Sequence, residues 1–75
     1  MSEFAVILVH TTSHAILAER VLRSAGLEAR LVPTPRHLSS DCGSAIRIRV
    51  SDRDACVRSL EAAGVELDRV ELLNE

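Results

Sequence analysis

"AGLEARL" (residues 25–31) returns in altered form as "AGVELDR" (residues 63–69). In each copy an alanine and a glycine close an apolar helical pattern, and the residues after them suit a short strand. That is the expected signature of a helix ending at a left-handed glycine before the chain turns back. The offset of 38 residues (63 − 25) also relates Ser51 to Ser13 (51 − 13), both residue types suited to starting a helix. The chain therefore reads as one supersecondary unit used twice.

Working outward from the first copy, "FAVILVH" (4–10) is continuous, apolar and β-branched enough for a buried central strand. From Thr12 or Ser13 the spacing predicts a helix with Leu17, Val21, Leu22 and Ala25 on its inner face and Gly26 beyond its end. "EARLV" (28–32) is a short strand stopped by Pro33. Upstream of the second copy, "AIRIRV" (45–50) alternates, with Ile46, Ile48 and Val50 on one face and Arg47 and Arg49 on the other. Ser51 is the expected cap of a second helix, with Asp54 as its capping-box partner and Cys56, Leu60 and Ala63 facing inward. "DRVELL" (68–73) supplies the last strand. The order β-α-β-β-α-β predicts an α+β, ferredoxin-like domain over residues 1–75, a four-stranded antiparallel sheet with two helices on one face. Such a topology hosts many chemistries, so function has to be argued from a site.

Composition narrows the partners. Hydrophobic residues are 47% of the 75 and aromatics 1%, so the core is aliphatic and its stability margin small, which makes a partner or a dimer expected. A formal net charge of −2 argues against phosphate-driven nucleic-acid binding. Arg30, Arg47 and Arg49 could line the open sheet face, but Phe4 is the only aromatic, too few for base stacking. All nine basic residues are arginine, so any anion site must use guanidinium or backbone amides. "FAVILVH" is too short to span a membrane, and no signal peptide follows Met1. With two cysteines and no secretory signal, the expected setting is the reducing cytoplasm, with both thiols free.

The topology also gathers a candidate site. Strands 1 and 2 run the same way with strand 3 between them, so "HTTSH" (10–14) and "PTPRHLSSDCG" (33–43) belong to one edge of the sheet. Thr12, Ser13 and His14 come from the helix start with its free N–H groups, and Arg36, Ser39, Ser40, Asp41 and Gly43 come from the loop. Arg47 stands nearby on strand 3. Cys42 is the candidate reactive thiol: the arginine and the helix terminus favour its thiolate, while Asp41 opposes it. The plainer readings are a small residue at a strand entry for Cys42 and a solvated ion pair with Asp41 for Arg36. His10, His14, His37 and Cys42 match no standard zinc spacing, so neither metal nor cofactor is expected. Cys56 should be buried, inert and too distant from Cys42 for a disulfide. Strand 1 is apolar on both faces, which makes the open sheet face a candidate homodimer surface.

Through "TTSHAILAERVLRSAGLEARLVPTPRHLSSDCGSAIRI" the chain resembles a family of small bacterial and archaeal Se/S carrier-like proteins. "PTPR", "LSSDCG" and the Ala15 and Glu19 pair carry the resemblance most specifically. It implies a non-catalytic carrier whose Cys42 holds sulfur or selenium as a persulfide or perselenide, passed between donor and acceptor proteins. Arg36 and the Ser39–Gly43 amides would then stabilise the anionic chalcogen. Better-understood sulfur carriers place their cysteine before proline at a helix start, whereas here Cys42 precedes Gly43 in a loop. The alternative is a small regulatory or signalling module that binds an anionic metabolite with the 33–43 loop, Cys42 being structural.

Overall fold

A computed structural model describes residues 3–38 and 43–73. The elements are β1 (Phe4–Leu8), α1 (Thr12–Ser24), β2 (Ala29–Pro33), β3 (Ser44–Arg49), α2 (Arg53–Ala62) and β4 (Arg69–Leu73), with a 3-10 turn at Val50–Asp52. The sheet order is β2-β3-β1-β4 and every pairing is antiparallel, the ferredoxin-like arrangement the sequence predicts.

Alternation along β1 divides the core in two. Ala5, Ile7 and Val9 join Ile46 and Ile48 of β3 beneath Ala15, Ala18 and Leu22 of α1 and Cys56 and Leu60 of α2. Val6 and Leu8 point to the opposite face with Ala45, and all three are fully buried there because Val32, Leu38 and Leu73 pack over them. The apolar outer side of β1 is thus covered from within the chain, by a leucine from the β2–β3 connection.

The repeated glycines close both helices in the same way. Gly26 (φ +81) and Gly64 (φ +73) are left-handed, a conformation that side chains disfavour. The Leu27 N–H donates to the Leu22 carbonyl at 3.0 Å and the Gly26 N–H to the Arg23 carbonyl at 3.1 Å. Thirty-eight residues on, the Val65 N–H donates to the Leu60 carbonyl at 2.9 Å and the Gly64 N–H to the Glu61 carbonyl at 3.1 Å. Each is a Schellman closure, and Leu27 and Val65 bury against the helix they end.

Four local readings need correction. Helix α1 is capped by Thr11, whose hydroxyl accepts the His14 N–H at 3.1 Å, one residue before the expected cap. Leu17 is not on the inner face: it is 42% exposed, because Ala15, Ala18 and Leu22 form the buried stripe with Val21 beside it. Ala25 and Ala63, also expected inside, are the exposed C-caps of the two helices. Ser51 does not cap α2; the 3-10 turn carries the chain on to Asp52, which occupies the cap position without a side-chain capping bond.

Candidate functional site

The β2–β3 connection is shorter than its composition suggests, because Pro33 already pairs with Ser44. The Thr34 N–H then donates to the Gly43 carbonyl at 2.9 Å and closes the loop at its base. Inside it, the Leu38 N–H donates to the Pro35 carbonyl at 3.0 Å, a β-turn that puts Arg36 and His37 at its exposed corners. A proline that fixes φ at the first position and a leucine that returns to the sheet make this turn rigid at both ends. Leu38 descends onto the face opposite the helices. Ser39, Ser40, Asp41 and Cys42 lie outside the described residues.

At the start of α1, Thr11 Oγ1 stands 3.0 Å from His14 Nδ1 as well as accepting the His14 backbone N–H. Thr12 and Ser13 are exposed in the first turn. Thr11 is the residue that sequence reading misses. Its only signal is membership in "TTS", three consecutive residues that can each cap a helix.

Arg47 is turned away from the loop. Its guanidinium carbon lies 4.4 Å from the centroid of the Phe4 ring, toward the far end of β3, and that of Arg49 lies 5.9 Å from the same ring. Arg49 also pairs with Glu28 at 3.5 Å. Arg30 stands directly across from Arg47, and both line a cleft of about 530 Å³ with Arg23 at the end of α1. A second cleft of about 590 Å³ takes in Glu61, Gly64 and Glu66. These positions repeat Arg23, Gly26 and Glu28 of the first cleft at the 38-residue offset (61 − 23, 64 − 26, 66 − 28). The duplicated architecture has thus produced one basic and one acidic cleft.

Cys56 is a free thiol with no exposed surface. Burial, and secondarily the charge of Asp52, pushes its pKa up from 9.0 to about 11. At neutral pH it is a protonated, apolar part of the helix-side core, unsuited to nucleophilic work. Among the described residues no cluster of three or more His, Cys, Asp or Glu side chains could hold a metal. Among them, too, no helix is long and apolar enough to cross a membrane.

No curated protein and no solved structure matches the chain. The model of a family described as "Putative Se/S carrier protein-like" matches residues 4–70, from the first residue of β1 into β4. That span takes in Arg36, Cys42 and Gly43 together with both helices, and the chain accordingly belongs to the Se/S carrier protein-like family.

Proposed function

We propose that this chain is a sulfur or selenium carrier in which Cys42 holds the chalcogen. The observation that carries the reading is the fate of the other thiol: Cys56 is sealed in the core with its proton held to about pH 11, which leaves Cys42 for chemistry in a family named for carriage. In the transfer step the Cys42 thiolate attacks the outer sulfur of a donor protein's persulfide. A new S–S bond forms at Cys42, the donor's S–S bond breaks, and the donor leaves as a thiolate with no net oxidation or reduction. Unloading onto an acceptor thiolate is the same exchange run outward, and a perselenide follows the same balance.

The surroundings supply what such a cargo needs. A terminal persulfide is anionic near neutral pH, and Arg36, held exposed at a turn corner in the same connection, is a fixed cation for it or for an approaching anionic donor. Ser39, Ser40, Asp41 and Gly43 flank the thiol in sequence, and the loop base is tied by the Thr34 to Gly43 bond. Thr12, Ser13 and His14 form the start of α1, whose dipole favours negative charge. The proposed partners are a donor and an acceptor protein in a reducing compartment, with no resident cofactor.

Incubation with a persulfide donor followed by intact-mass measurement should show one added sulfur on the wild type and on Cys56→Ser, and none on Cys42→Ser. Arg36→Ala should load several-fold more slowly. Equal loading of Cys42→Ser would overturn the carrier reading and leave Cys42 as part of an anion-binding module.

A further inference from the structure

The two edges of the sheet are not alike. In β2 the Thr34 N–H points inward to Gly43, so by alternation Ala29, Leu31 and Pro33 direct their backbone groups outward. That outward row is blocked: Glu19 of α1 accepts the Leu31 N–H at 2.7 Å, and Pro33 has no N–H to give. In β4 the parity follows from the other side of the sheet. The Val50 N–H donates to the Glu3 carbonyl at 3.1 Å, so Phe4, Val6 and Leu8 turn their backbone groups to β4, opposite Leu73, Glu71 and Arg69, and the Leu8 carbonyl accepts the Asp68 N–H at 2.7 Å. Val70 and Leu72 therefore direct their N–H and C=O groups outward, with no partner among the described residues. Leu72 is 54% exposed, more than Ile16, Leu17 or Leu31.

We propose that the β4 edge binds a second copy of this chain, β4 against β4 and antiparallel, about a two-fold axis through Val70. The choice of occupant comes from the charges. With Val70 opposite Val70, Arg69 of each copy faces Glu71 of the other, and the two valines exchange backbone N–H···O bonds. Moving the axis by one residue to either side sets like charges against each other, Glu71 on Glu71 or Arg69 on Arg69. Within one chain Arg69 already holds Glu71 at 3.2 Å and Asp68 at 3.0 Å, so Arg69 and Glu71 of the two copies would form a shared four-member network on the open face. The product is a continuous eight-stranded sheet with the two β2–β3 connections at its outer ends. This inference stands independently of the carrier reading.

The test is solution mass against concentration by light scattering or sedimentation. Wild type should pass from an 8.2 kDa monomer to a species of twice that mass. Val70→Pro removes an outward N–H while leaving the β1 ladder intact, and should be monomeric with an unchanged far-UV spectrum. Glu71→Arg and Arg69→Glu, each placing like charges across the edge, should associate roughly tenfold more weakly alone. Mixed one to one they should recover wild-type affinity as a heterodimer, a recovery that a merely misfolded variant cannot show. A wild type that stays monomeric at high concentration, a dimer that survives Val70→Pro, or a mixture that fails to recover would each overturn the proposal.

Discussion

At the scale of single residues, Cys56 has a consequence for stability that the composition isolates. The chain has no lysine and no tyrosine, so neither of those side chains overlays the titration of Cys56 between pH 9 and 11. Cys56 keeps its proton in the folded chain up to about pH 11 but loses it near 9 when unfolded, so folding takes up a proton in this window. The stabilisation is therefore complete below about pH 9 and is lost as pH rises toward 11, by up to roughly 2–3 kcal/mol. Urea unfolding at pH 8 and pH 10.5 should show this fall in wild type and little of it in Cys56→Ala. Burial of Cys56 was legible in the sequence, because its spacing to Leu60 put both on one helix face. The Thr11 cap was not, since the choice among "TTS" depends on where the backbone leaves β1 and not on residue type.

At the scale of elements, the helix closures were the most legible feature and the packed face of α1 the least. A glycine after an apolar stripe acts locally, so Gly26 and Gly64 could be read directly. The side of a helix that packs depends on how closely it approaches the sheet. Ala15 and Ala18 permit a close approach and leave Ile16 and Leu17, 47% and 42% exposed, on the outer surface. The role of Glu19 is not readable in the sequence, because its partner, the Leu31 N–H, lies twelve residues away on the sheet edge. Glu19→Gln weakens that 2.7 Å bond by removing its charge, and Glu19→Ala removes it. We expect the alanine variant to lose about 1 kcal/mol and the Leu31 amide to exchange markedly faster, with glutamine between. Hydrogen exchange followed at Leu31 measures this; unchanged protection would show that the carboxylate does not shield the edge.

At the scale of the whole molecule, part of the sheet's second face is covered by the chain itself. An apolar outer side of β1 pointed to a dimer surface, but Val6, Leu8 and Ala45 are already covered by Val32, Leu38 and Leu73. Leu38 sits in a stretch of Pro, Arg, His and Ser that reads as a loop, and nothing local signals that it returns to the sheet. Leu38→Ala should lower stability by about 1 kcal/mol or more and increase binding of a hydrophobic dye, with the helix-side core intact. What topology makes legible is the placement of the β2–β3 connection, with Arg36 and Gly43, at the end of the sheet where α1 begins. Arg47 departs from it because the ring of Phe4 holds its guanidinium.

Leu38 also makes the posture of the connection and the wetting of the sheet a single variable. The leucine that ends the Pro35 turn is one of three residues, with Val32 and Leu73, that keep Val6, Leu8 and Ala45 dry, so moving the turn outward would uncover part of that apolar surface. Any displacement of this turn therefore carries the cost of wetting aliphatic surface on that face of the sheet.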